Sequence, residues 1–478
     1  MLWTIPGQIQ EEHLNGEQKR LKAFKDAWDI YNGEHPLPLR KTKSDPRGQD
    51  NVILNFARVI VDKGVAFLFG QDLTFSTDDK PERNDAEKWL DNVWQANRRA
   101  TFLNKLGTNG GVTGQTFLKI VANSPITAPY PRLVLLDPST VTPTWDDDDI
   151  EYVRKWRIRW NTLDANGQPL VKQQRIEPGA IGLDGLPVNW LIIDEVAPAN
   201  DPRFVEVRRE VWPYPFAPIL GCQNLPAPNE YWGISDLEPD IVAPNKAINF
   251  TISNMLRIIR LHAHPKTWGR GIGGQQLELG PDDVLLIKSS DGELHTLEMT
   301  SDLASSLAIF REVRSALHEV SRIPEVATGK LDGVGTLSGL ALKILYGPLV
   351  EKTETKRLTY GDMLVELNRR LLTIGGKGED NVVTIHWPEI VPQDPKEERE
   401  TALLDQQLGV SKETLLEKLG YDPDTERQRK ETEAAAAGEA MLTAFERGGN
   451  APMGNGQPMN GPQMQGQPGA AKPQGGAR

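Results

Sequence analysis

Thiols and imidazoles are scarce in this chain: 478 residues contain 1 cysteine, Cys222, and 7 histidines. One cysteine excludes an intramolecular disulfide framework and fits a reducing compartment. Zinc chemistry has almost no material, since His262 and His264 stand together but no third ligand follows at a characteristic spacing. No apolar run approaches the roughly 18 residues that a membrane span needs. Met1–Gln10 is too short and polar for a secretory leader. Positive charge is in deficit as well. The 54 Lys and Arg face 66 Asp and Glu, giving a net charge of -12. That argues against a protein whose main task is to hold DNA or an anionic membrane by bulk attraction, but not against one that lets DNA slide past.

Catalytic signatures are missing too. There is no G-x-S-x-G or H-E-x-x-H. The phosphate-cradling run G-x-x-x-x-G-K-[ST] is absent. Its nearest relative, Asn109 to Thr116, has Asn109 for the first glycine and Gln115 for the lysine that must reach the phosphates, so it reads as a turn into a strand. Gly333, Gly335 and Gly339 miss the dinucleotide spacing by one, and the segment before them is a helix ended by Pro324 rather than a strand. Asp146–Asp149 lacks the interleaved glycine and distal glutamate of a calcium loop and reads as a solvated acidic turn. Lys155, Arg157 and Arg159 share one face of a strand; solvation is the plain reading and phosphate contact the alternative. No metal, cofactor or enzymatic activity is expected.

What is present is ordinary core-forming material, 38% hydrophobic residues over a length that suggests about three domains. The fold class is read as α+β. Glu11 to Ile30 is a charged helix. Asn51 to Phe69 is amphipathic and stops at Gly70, and a second helix covers Asp85 to Gly107. From Val112 to Val211 the period falls to two. In Tyr152–Trp160, Tyr152, Trp156, Ile158 and Trp160 share a face, and Asn166-Gly167 and Asp184-Gly185 are turn signals. Helix returns at Ser235, with the stripe Leu237, Ile241, Ile248, Ile252, Met255 and Ile259 and a kink expected at Pro244. A Gly-rich β-like piece containing Val284, Leu285, Leu286 and Ile287 precedes a third helix, Asp302–Arg322. Its stripe is Leu303, Leu307, Phe310, Val313, Leu317 and Val320. After a glycine-rich loop, a long helix runs from Ser338 to Leu372 with a kink expected at Gly347-Pro348. Its stretch Glu351 to Arg357 is polar all round and needs a neighbour or water on every side. The strand Val382–Trp387 follows, then short acidic helices at Pro395–Leu408 and Ser411–Leu419 and a charged Ala-rich helix to Arg447. From Gly448 to Arg478 the composition cannot form a core, and disorder is expected.

The order of these elements, together with several short stretches, resembles the portal proteins of tailed bacteriophages, siphovirus type. The early helix with Asn51-Val52-Ile53-Leu54-Asn55-Phe56 and Phe67-Leu68-Phe69-Gly70 is similar to the family's first strong helix. Ser338-Gly339-Leu340-Ala341-Leu342-Lys343 resembles its long-helix start, and Trp387 to Asp394 its strand exit. Ser411 to Thr414 and Tyr421 to Glu426 resemble steps near its end. The likeness spans about Asn51 to Glu433 and omits the tail.

The resemblance implies a ring, usually of twelve subunits, at one capsid vertex, through which double-stranded DNA enters and leaves. It implies a wing at 1–234, stem helices at 235–262 and 302–328, and a clip at 263–301. A tunnel loop follows at 329–337, then the long helix and wing strand at 338–394, a crown at 395–447 and the tail at 448–478. Lys330, Leu331, Asp332, Val334, Thr336, Leu337 and Lys343 would face the channel. Val284–Ile287 of the clip would meet the terminase large subunit and later the head-completion or adaptor protein. Major capsid and scaffolding proteins are the other expected partners, with assembly in the host cytoplasm and residence in the virion. Two rival readings stay open: another phage structural or adaptor protein, and a packaging ATPase, which the missing phosphate loop disfavours.

Overall fold

The computed structural model describes residues 6–41, 47–77, 84–183, 185–199, 203–263, 267–270, 293–296, 303–329, 339–378, 382–390, 395–419 and 426–435. Two compact units emerge, Met1–Pro392 and Gln393–Arg478. Helix and sheet are mixed, as the α+β reading expects.

The larger unit opens with α1 (Pro6–Tyr31) and α2 (Phe56–Phe69). The amphipathic pattern of Asn51–Phe69 starts five residues before the helix does. Residues 51–55 are held extended because side chains from a later helix take their backbone bonds, as described below. Asn55 then caps α2 by accepting from the Arg58 amide, and Gly70 closes it. β1 (Thr74–Ser76) follows.

The single helix expected over Asp85–Gly107 is two, α3 (Asp85–Ala96) and α4 (Arg99–Thr113). The break has a local cause. Asn97 donates to the carbonyls of Val93 and Pro131 and accepts from the Leu133 amide, so its side chain competes with helix continuation. Arg98 then turns through a left-handed conformation at φ 55°. α3 begins with a reciprocal cap between Asn84 and Glu87. The run Asn109–Thr113 is also helical rather than a turn; the turn is Gly114, at φ 80°.

Two antiparallel sheets come next. β2 (Gln115–Val121) lies between β3 (Arg132–Leu136) and a later strand, β9 (Ile219–Gln223). β4 (Val141–Trp145), β5 (Val153–Leu163), β6 (Pro169–Pro178), β7 (Trp190–Pro198) and β8 (Val205–Trp212) form a five-stranded meander in chain order. Asn166-Gly167 turns β5 into β6, with Gly167 at φ +78°. On β5, Trp156 and Ile158 are buried, whereas Trp160 on the same face is exposed, as is Tyr152 just before the strand. The basic face is not merely wet: Arg157 reaches Glu17, Arg159 donates to Gln173, and Lys155 lies near Glu177.

α5 (Pro239–Ala263) begins later than Ser235, because the Ser235 hydroxyl donates to the Val112 carbonyl and accepts from the Leu237 amide in a preceding turn. The helix continues through Pro244. β10 (Thr267–Arg270) and β11 (Glu293–Thr296) pair antiparallel, so the ends of the Gly-rich insertion meet. α6 (Leu303–Ser321) packs against α5. The longest helix, α7 (Gly339–Ile374), runs 36 residues and includes Pro348. β12 (Thr384–His386) returns to pair with β1. In the smaller unit, α8 (Pro395–Gln407) and α9 (Lys412–Lys418) contact each other, and residues 426–435 are helical.

The main core joins α3, α4, both larger sheets and the second half of α7. Trp94 is fully buried there and donates its indole N–H to Asn368 of α7. A second cluster gathers Ile60 of α2, Ile241 and Ile248 of α5, Leu317 of α6 and Leu349 of α7, with Ile323 and Ala327 beyond α6. Burying each of these large aliphatic side chains stabilises the fold by about 1.5–3 kcal/mol.

Candidate functional site

The glycine-rich segment after α6 is held from both sides by one buried polar node. On its upstream side α6 ends at Ser321, Arg322 turns at φ 59°, and Pro324 starts a short 3-10 helix, Glu325–Thr328. Gly329 follows at φ +89°, with open space around its Cβ position, so backbone conformation rather than crowding calls for glycine there. The turn is fastened locally. His318 Nδ1 lies 2.8 Å from the Ile323 carbonyl, the Ser321 hydroxyl accepts from the Ile323 amide, and Arg314 pairs with Glu325 at 3.5 Å. Phe56 of α2 meets the His318 ring edge-on.

On the downstream side, α7 carries the polar stretch that needed neighbours. Lys352, Thr353 and Lys356 are buried. Asp236, in the turn before α5, supplies the counter-charge: Lys356 Nζ is 2.5 Å from Oδ2 and Lys352 Nζ is 2.9 Å from Oδ1. Lys352 also donates to the Ser321 carbonyl, at the negative end of the α6 dipole. The Asp236 amide donates to Gly111 of α4. One cluster therefore ties α4, the entry to α5, the end of α6 and the middle of α7.

Its charges are two cations and one anion. Burial by itself would raise the Asp236 carboxyl, but Lys352 and Lys356 together outweigh it and hold the group down at about 2. At Lys356 burial wins over the attraction of Asp236, and the ammonium is pushed below its ordinary value, because a single carboxylate is divided between two lysines. The glycines of the Asn109–Thr116 run now have a structural reason. A Cβ on Gly110 would collide with the Tyr360 hydroxyl of α7, and one on Gly111 would press on Val61 and Asp236. They let α4 approach the node rather than cradle a phosphate.

A polar ladder on α5 joins the node to the N-terminal segment. Asn245, Asn249 and Ser253 recur every four residues and bond the extended segment and the first turn of α2: Asn249 Oδ1 accepts from the Leu54 amide, Asn245 Oδ1 from the Ala57 amide in α2, and Ser253 Oγ from the Val52 amide. Asp50 meets Arg257 at 3.1 Å and Arg260 at 2.6 Å. The i, i+4 spacing of small polar residues flanking the apolar stripe was the available signal in the sequence.

Of the expected channel residues, Lys343 lies exposed on the first turns of α7, beside exposed Ile344 and Leu345. Lys330, Leu331, Asp332, Val334, Thr336 and Leu337 lie outside the described residues, as do Val284–Ile287 of the insertion. Among the described residues no His/Cys/Asp/Glu group is arranged to hold a metal ion, and no helix is long and apolar enough to cross a membrane.

Two paired helices joined through a β-ladder, a fastened turn and a long helix rooted in the core thus flank the glycine-rich segment. The family description "phage portal protein, SPP1 Gp6-like" matches residues 10–164 and 242–440, more than half of the chain, and the chain belongs to this family. The family is one of structural head–tail connectors of phage particles. Among solved structures, the chain is similar to one described as "Neck of empty GTA particle computed with C6 symmetry", at 14% identity and a TM-score of 0.42, over 77% of this chain and 90% of that one. No curated protein matches the chain.

Proposed function

We propose that copies of this chain close into a ring whose central channel passes double-stranded DNA into and out of a phage head, without catalysis by the ring itself. The family membership carries this reading. The apolar surface supports it. Phe250, Leu256 and Ile259 of α5 and Leu307, Ile309 and Val320 of α6 are all exposed in the isolated chain. Exposed aliphatic and aromatic side chains on paired helices need cover, and a heterologous ring covers them with a different face of the next copy.

In this ring α5 and α6 are the stem, β10 and β11 the base of the clip, and 329–337 the tunnel loop at the end of the α7 lever. The wing comprises 1–234 with the strand after α7, the crown is 395–447, and twelve is the expected copy number. The clip is the docking point for the terminase and then for the head-completion protein, while the crown faces the head interior. A net charge of -12 suits a tube that DNA must leave as readily as it enters, since duplex DNA carries one charge per about 1.7 Å. Negative-stain images and solution mass of the purified chain test the proposal. Rings with a central hole are expected, and a monomer at micromolar concentration overturns it.

A further inference from the structure

A pocket of about 230 Å³ opens where the loop after α1 meets α5. His35 forms its buried floor, 8% exposed, and neither ring nitrogen has a hydrogen-bond partner. Asn249, 2% exposed, gives its Oδ1 to the Leu54 amide, which leaves its Nδ2 donor unsatisfied and buried. Lys246 stands one helical turn earlier, exposed at the mouth. Leu37, held between two prolines, and Phe250 form the apolar walls, each half exposed. No carboxylate lines the pocket.

Buried polar groups normally find partners, and two unpartnered side chains facing one space signal a missing ligand. An ammonium, an amide N–H and an imidazole match a group that only accepts hydrogen bonds and carries negative charge. We infer that this pocket receives a carboxylate side chain from the neighbouring copy of the chain, an assignment that rests on the ring reading. Two observations favour that source. The volume lies below the 300 Å³ or so at which free-ligand pockets begin, so it suits one inserted side chain. Leu37 and Phe250 also leave uncovered apolar surface at the rim of the pocket, which the next copy would bury.

Sedimentation of the wild-type chain and of Lys246→Arg, Lys246→Met and Lys246→Glu tests this, each in sodium chloride and in sodium acetate of equal ionic strength. Lys246 is exposed, so all three should fold, and circular dichroism verifies it. Lys246→Arg should assemble like wild type. Lys246→Met should weaken assembly by about tenfold, the worth of one charge-assisted hydrogen bond, and Lys246→Glu by more. Acetate should weaken wild-type assembly by occupying the pocket and leave Lys246→Met unchanged. Rings of undiminished affinity in Lys246→Met and Lys246→Glu overturn the pocket while leaving the ring intact. Acetate acting equally on all variants also overturns it. Acetate protection of the wild type against heat with no effect of Lys246 on assembly assigns the pocket to a free carboxylate instead and overturns the neighbour as its source. A wild-type chain that never assembles fails the ring reading first.

Discussion

Asp236 is one carboxylate serving two buried lysines. Asp236→Asn leaves two ammonium groups without their anion, and a broken buried pair costs about 3–5 kcal/mol. Urea unfolding of Asp236→Asn against wild type should show a loss of that size; a loss under 1 kcal/mol would mean the lysines find other partners. Acid has a related effect with a defined sign. The carboxyl sits at about 2 in the fold against an ordinary value of 3.8. Its stabilisation is therefore fully present above about pH 4 and is lost as pH falls toward 2, amounting to about 2 kcal/mol. Unfolding followed between pH 5 and 2 should show that wild-type loss and little of it in Asp236→Asn. The sequence pointed to half of this arrangement. Glu351–Arg357 stood out as polar where a helix needed neighbours, but Asp236 lies more than a hundred residues away, and no local pattern announces a partner at that distance.

Periodicity exposed the helices and strands far better than their ends. α6 and α7 fall within two residues of their sequence limits, because apolar stripes and Pro324 mark them from inside the chain. The ends that moved were set by distant partners: Asn97 bonding Leu133 split α3 from α4, and Ser253 and Asn249 drew residues 51–55 out of α2. The candidate site was legible as a composition, glycines between two helices, whereas the buried node that fastens its flanks was not. At this scale the insertion between α5 and α6 makes a separable prediction. β10 and β11 close its base, so a change at Val284–Ile287 acts beyond a joint already made by the backbone. Replacing those four residues with polar ones should leave helix content near wild type by circular dichroism and weaken binding to the terminase large subunit. Unaltered terminase affinity would remove the clip assignment.

A ring and a duplex do not share symmetry, so in the proposed channel no two copies can meet DNA in the same way. On that proposal the tunnel loop is required to take different shapes in different copies, while the frame behind it stays constant. The frame is well provided for. The second half of α7 is buried in the main core through Leu364, Leu367 and Leu371, and its middle is fixed to Asp236. In the proposed channel that freedom lies between Gly329 and Gly339, because the sequence there carries Gly333 and Gly335 and glycine is the least restricted residue. Proline at both positions would fix φ and remove two amide donors. The double variant Gly333→Pro, Gly335→Pro should keep the ring mass and helix content of wild type. In an assembled-head assay it should fail to package or retain DNA. Normal packaging would show that the loop works in one conformation. Loss of the ring would show instead that 330–338 is a joint between copies, and the node at Asp236 would then serve assembly rather than passage.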